Sequence, residues 1–274
     1  MATRRGMAIT ELIGVLGCAL LLAAMSAAVL GGGNGETTAR RSLEDGAQIR
    51  EIHGAMAIFA AEHEERMPRP GLIDRLPVEV DGVLRDVPGR GESDPAQDTT
   101  ANLYSTLICM RYITPESVVS PIERNPRVRV CREFDWDAYD PGRDVYWDPA
   151  FVADLANESN TSYAHLVTYG DRLERGWRSA SGYPHLGDRG PAAGEPDADS
   201  FTCGPHGHWA GYIAFADGHV EMLTDVRSKT LVVASADRSR PDNIFAMETG
   251  ADGGDAVISF TLEVKPGGPV LQND

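Results

Sequence analysis

The sequence is short of positive charge: its 274 residues carry 41 Asp and Glu against 25 Lys and Arg, a net charge of −16. Binding nucleic acid needs a basic face, so nucleic acid is excluded as a partner. The same imbalance disfavours charge-driven docking on an anionic membrane surface. Cysteine is scarce, with four residues and no C-x-x-C pair. There is no G-x-S-x-G elbow, no Walker A loop and no G-x-G-x-x-G after a strand, which removes three common catalytic and nucleotide-binding designs. No long repeat appears. Carboxylates are too abundant for a glycosidase-type pair to be picked out. The chain therefore reads as non-enzymatic. What it does have is a hydrophobic content of 42%, enough for a sizeable core in one or two domains, and 29 glycines with 17 prolines, the mark of a loop-rich body.

From Met7 to Leu30 the chain holds a single charge, Glu11. As a helix this run reaches roughly 36 Å, enough to cross hydrocarbon about 30 Å thick. A carboxylate there is expensive, about 2.5–3.5 kcal/mol at a helix centre. Arg4 and Arg5 precede the run and favour a cytoplasmic N-terminus. A secretory signal peptide fits poorly, because the run is long and Glu11 interrupts it. A lipoprotein signal at Val15–Cys18 leaves the apolar residues after Cys18 without a purpose.

The stretch Gly6-Met7-Ala8-Ile9-Thr10-Glu11 resembles the processing motif of type IV pilins and type II secretion pseudopilins: a basic leader, a glycine, a methylated hydrophobic residue, and glutamate at the fifth mature position. The resemblance implies cleavage after Gly6 by a prepilin peptidase and methylation of the Met7 amine. That amine lies one helical turn from Glu11. In a fibre, Glu11 can pair with its own amine or a neighbour's, and opposite charges attract strongly in a low dielectric. Losing one partner leaves an uncompensated charge. Glu11 thus reads as a register device.

Gly31–Gly35 should break the helix. Beyond them Ile49, Ile52, Met56, Phe59 and Ala60 recur at helical spacing, an apolar stripe made to pack on a head domain, and Pro68 and Pro70 end the pattern. In the head, residues 72–100 read as turn-rich and irregular. Residues 101–113 carry Leu103, Leu107 and Ile108 on one helical face. Trp136, Tyr139, Tyr146 and Trp147 alternate with aspartates, which suits aromatic packing of a loop or sugar binding. Ser162–Tyr169 and residues 256–264 read as strands, with KTLVVAS before the latter. If the head is exported, Cys109 and Cys131, which flank one short region, are the candidate disulfide; three buried thiols are the alternative.

Tyr212–Ala216 and His219–Leu223 read as a hairpin over a type I′ turn at Asp217-Gly218. FADGHVEML also resembles the prepilin-processing-associated His-x9-Asp-Gly domain of pseudopilin-like proteins, with Leu186–Pro191 resembling its lead-in. Here eight residues separate His208 from Asp217, and ten separate His206 from it. His206, His208, Asp217 and His219 are candidate metal ligands; the alternative is a hydrogen-bonded polar hairpin, and no metal is assigned. Asp252 and Asp255 suggest calcium as a possible cofactor, without the EF-hand pattern.

These readings combine into an α+β expectation: a long N-terminal helix, half transmembrane and half amphipathic, packed on a loop-rich, mainly antiparallel β head of pilin-like type. The parts are a cleaved leader (1–6), a transmembrane half-helix (7–30), a glycine break with an amphipathic half (31–66) and an extracytoplasmic head (67–274). The resemblance implies a single-pass subunit of the cytoplasmic membrane, its N-terminus cytoplasmic and its head periplasmic or extracellular. Its implied partners are the bilayer, the peptidase, other pseudopilin subunits and an assembly platform of a secretion or pilus system. The alternative is a membrane-anchored binding module for carbohydrate or calcium that uses the signal without polymerising.

Overall fold

In the computed structural model the described residues are 34–63, 65, 67–72, 74–80, 82–89, 94–138, 147–172, 182–195, 197, 199–203, 207–232 and 241–274. The chain divides into two units, Met1–Leu43 and Glu44–Asp274. Of the first, only the opening of helix α1 (Asn34–Glu62) is described. In the second, the stripe of α1 behaves as its spacing predicts. Ile49, Ile52, Met56 and Phe59 are buried in one core with residues of the second helix and the strands, each burial stabilising by about 1.5–3 kcal/mol. Arg50, Glu51 and Glu62 remain exposed. The helix ends before either proline. Glu65 adopts a left-handed φ of 59° and its N–H returns to the Ala60 carbonyl, closing the last turn from beyond its end.

The rest is mainly antiparallel β. The strands are β1 (Asp74–Val80), β2 (Val83–Gly89), β3 (Ala153–Asp154), β4 (Glu158–Ser159), β5 (Tyr163–Leu166), β6 (Pro184–Asp188), β7 (Gly211–Phe215), β8 (Val220–Leu223), β9 (Arg227–Val232), β10 (Pro241–Asn243), β11 (Ile258–Lys265) and β12 (Gly268–Gln272). Six form one sheet in the order β12-β11-β5-β6-β7-β8, every neighbour antiparallel; the others pair as β1-β2, β3-β4 and β9-β10. Helix α2 (Thr100–Cys109) precedes the sheet and is capped by the Thr99 hydroxyl, which accepts from Asn102 N–H.

The expected architecture needs correction. Among the described residues there are two α-helices, and none is long and apolar enough to cross a membrane. Helix α1 carries Arg40, Arg41, Glu44, Arg50 and Glu51 along its length, too many charges for hydrocarbon. Helix α2 has ten residues, about half a bilayer core. The α+β fold built on a long, half-transmembrane helix is therefore replaced by a mainly antiparallel β unit with two helices. On the same finding, the single-pass membrane placement is withdrawn. Residues 1–33, with the leader, the apolar run, Gly6, Met7, Glu11 and Cys18, lie outside the described residues.

Two hairpins also differ from expectation. The segment read as irregular forms β1-β2, with Val80 paired to Val83 across a two-residue turn and Gly82 at φ 77°. The second hairpin lacks the type I′ turn. Gly218 N–H donates to the Phe215 carbonyl, Phe215 N–H donates to His219, and only Gly218 has positive φ. This is a longer loop with a left-handed glycine at its bulge, and the Asp217 carboxylate accepts the His219 N–H.

Candidate functional site

Most of the sequence-derived candidates are scattered. His206 lies outside the described residues, and His208 and His219 are exposed. Asp217 accepts a bond from His219 Nδ1, and Glu221 lies 4.0 Å from the other ring nitrogen. Among the described residues no group of three His, Cys, Asp or Glu side chains is placed to hold a metal. Cys109, Cys131 and Cys203 are free thiols, so the Cys109–Cys131 disulfide is corrected. Cys109 is buried at the end of α2 and Cys131 sits half-buried; burial pushes both thiols up. Trp136 packs edge-on against Phe134 under the Arg111 guanidinium, 5.6 Å from the ring centroid. Tyr139 and Tyr146 lie outside the described residues. A shallow cleft of 240 Å³ has the part-exposed ring of Phe201 on one side and Arg127, Asp199 and Asn273 around it.

The calcium expectation meets a different occupant. Asp255 is fully buried and ion-paired with the fully buried Arg172. Its Oδ1 also accepts the Thr249 hydroxyl, and Oδ2 accepts the N–H groups of Glu248 and Thr249. The same guanidinium holds the carbonyls of Gly250 and Ala251. An internal cation thus closes this loop. Asp252 is exposed. Nearby, Asp242 accepts from Ala256 N–H through one oxygen, while the other is buried without a partner. Burial pushes its carboxyl up to about 7, with Asp255 and Glu248 adding to the rise.

The densest polar arrangement joins α1 to the sheet. Asp45, one turn before Ile49, is fully buried. Its Oδ1 accepts the hydroxyls of Ser120 and Tyr163, the latter at 2.8 Å. Asp188, at the end of β6, interacts electrostatically with it, and Asp45 Oδ2 is buried without a hydrogen-bond partner. Asp188 Oδ2 accepts Tyr212 N–H at 2.7 Å. Burial raises both carboxyls; Glu123 adds to the rise at Asp45, and Asp45 adds to the rise at Asp188. Two turns along α1, His53 Nε2 lies 3.3 Å from His185 Nδ1, and the rings stack. Burial lowers His53, against a smaller pull from Asp217. Gly46 lets the helix come this close, since a Cβ there would meet the Tyr212 ring at 2.9 Å.

The lead-in segment Leu186–Pro191 is the hub of this region. Arg189 grips Glu123 with both terminal nitrogens, at 2.6 and 2.8 Å, and reaches Asp274 through Nε at 3.1 Å. These partners raise the guanidinium, and Arg189 lowers Glu123 and Asp274 against their desolvation. Trp209 Nε1 donates to the Arg189 carbonyl. The residues that sequence reasoning missed, Asp45, His53, His185 and Arg172, left one usable signal. Asp45 and His53 fall on or beside the apolar stripe, where polar side chains are costly unless paired. Chemically the arrangement fixes geometry, tying α1 and the Leu186–Pro191 segment to the sheet through buried hydrogen bonds.

No family model, curated protein or solved structure compared with the chain matches it.

Proposed function

We propose that the chain is a non-enzymatic, pseudopilin-like subunit of a type II secretion or type IV pilus-like fibre. Prepilin peptidase cuts after Gly6 and the new Met7 amine is methylated. The apolar run then packs against those of neighbouring subunits on an assembly platform, with Glu11 paired to an N-terminal amine in register. One observation carries this: Arg4, Arg5, Gly6, Met7 and Glu11 stand at the spacing the processing motif requires. A second supports it. The stripe that follows is buried against an antiparallel sheet, leaving a folded unit to be carried on the fibre surface.

Mass spectrometry of the native N-terminus tests the proposal, the expected chain beginning with methylated Met7. Retention of Met1, or a start beyond Leu30, rejects it. Glu11→Gln should be processed normally yet enter fibres at least about tenfold less, since an unpaired buried charge costs about 3 kcal/mol or more. A second reading, a carbohydrate-binding module, rests on the Phe201 cleft. Glycan binding that Phe201→Ala abolishes, together with no self-assembly, would favour it.

A further inference from the structure

Among the described residues Phe201 is the one exposed aromatic ring; every other Phe, Tyr and Trp is buried or half-buried. Its neighbours fix it there. Ser200 donates its hydroxyl to Asp274 Oδ2 at 2.7 Å and accepts the N–H groups of Thr202 and Cys203. Thr202 gives the same oxygen its own N–H at 2.7 Å and its hydroxyl at 2.9 Å. Arg189 holds the second oxygen of Asp274. With the residues on both sides tied inward to one carboxylate, the ring between them stands at the wall of the 240 Å³ cleft. A single exposed ring needs no explanation by itself. The polar groups around this one do.

Most of those groups are committed. Gln272 Oε1 accepts Leu155 N–H, and its Nε2 donates to Asp154. Asn125 Oδ1 accepts Arg127 N–H, and the Arg127 carbonyl accepts Ser159 N–H, which pins that backbone at the rim. Three groups remain open. The Arg127 guanidinium and the Asp199 carboxylate are exposed, and among the described residues neither makes a hydrogen bond or an ion pair, not even with the other. Asn273 Oδ1 accepts the Ser259 hydroxyl, which leaves its amide hydrogens available. One acceptor and two donors therefore surround an aromatic ring.

We propose that this cleft binds one neutral pyranose ring, with its C–H face on Phe201 and its hydroxyls on Asp199, Arg127 and Asn273. A pyranose is apolar on the face that carries its ring C–H bonds, and its rim of hydroxyls both donates and accepts. Asp199 takes hydroxyl protons, while Arg127 and Asn273 donate to hydroxyl oxygens; the bonds to the charged pair are of the stronger kind. The same charges select against other small ligands. Asp199 and the net charge of −16 repel a sugar acid, and Arg127 repels an amine. The volume lies below the roughly 300 Å³ at which drug-sized sites begin, so it suits one ring, with the rest of a glycan left in solvent. This deepens the carbohydrate reading of the cleft and does not depend on whether the chain self-assembles.

The test is saturation-transfer NMR on the full chain with the methyl pyranosides of glucose, galactose and mannose, beside glucuronate and phenylalanine. At least one pyranoside should bind with a dissociation constant on the order of millimolar, taking up saturation mainly at its ring C–H protons. Phe201→Ala should weaken that binding at least about fivefold. Asp199→Ala should do the same, and this side chain holds no other described group. Silence from all three pyranosides overturns the proposal, as does binding that either variant retains at full strength. Tighter binding of glucuronate or phenylalanine also overturns it, and makes the cleft a site for an anion or an amino acid. Should Phe201→Ala disturb its turn, Asp199→Ala alone decides. Sedimentation of the same preparations separates the readings. Sugar binding by chains that also assemble sustains this inference and removes the non-polymerising alternative; assembly without sugar binding overturns this inference and leaves the fibre.

Discussion

The Arg172 guanidinium and the Asp255 carboxylate are both fully buried and bonded to each other, and together they close the loop from Glu248 to Asp255. A cation of fixed covalent origin sits where an acidic loop would otherwise need one from solution. Replacing Arg172 with Met should destabilise by about 3–5 kcal/mol, because Asp255 is left charged and buried. Urea unfolding measures this. The wild-type midpoint should not move on adding a chelator, since every Asp255 oxygen already has donors.

His165 is fully buried on β5 and bonded on both sides. Nδ1–H donates to the Leu166 carbonyl, and Nε2 takes the Thr100 hydroxyl at 2.9 Å. Thr100 in turn accepts Thr261 N–H from β11. Burial lowers the imidazole to about 4. A lowered histidine gives stability that is complete above about 6.5 and lost as pH falls towards 4, up to about 3 kcal/mol. His165→Gln should flatten that acid slope when unfolding is followed from pH 7 to pH 4. An unchanged slope would assign acid lability elsewhere.

Asp242 works the other way. Its raised carboxyl contributes stability that declines as pH rises from about 3.9 to about 7 and is gone above that. The stability difference between wild type and Asp242→Asn should therefore shift against wild type over that range, then level off. Paired denaturant titrations at pH 5, 7 and 9 give the answer. A difference changing as steeply between 7 and 9 as between 5 and 7 would contradict the assignment.

Gly190 lies against the Phe245 ring, where a Cβ would come within 2.4 Å. Gly190→Ala should cost about 1–3 kcal/mol through overpacking. It should also loosen Trp209, whose ring packs edge-on on Phe245 and whose Nε1 donates to the Arg189 carbonyl. Near-ultraviolet circular dichroism and thermal melting report both effects; a melt within a degree of wild type would show that the ring has room to move.

The local pattern was legible where one face of an element is wet and the other dry. Ile49, Ile52, Met56 and Phe59 declared the buried face of α1, and the strands around Tyr163, Gly211 and Ile258 declared themselves by β-branched and aromatic content. Turn chemistry was less readable. Two Asp-Gly pairs occur at hairpin tips, and the two-residue turn formed at Gly82 rather than at Gly218, because strand register sets the loop length and the dipeptide only permits it.

By itself the sequence determined the apolar stripe, the acidic surface and the spacing of Gly6, Met7 and Glu11, since periodicity, charge and local order are properties of neighbours in the chain. Tertiary structure alone decided that Asp45 meets Tyr163, that His53 faces His185 and that Arg172 neutralises Asp255. The partners in these pairs lie 118, 132 and 83 residues apart by their numbering. A buried charge or proton is held only by whatever the fold brings within hydrogen-bond reach, and no local pattern records which group that will be.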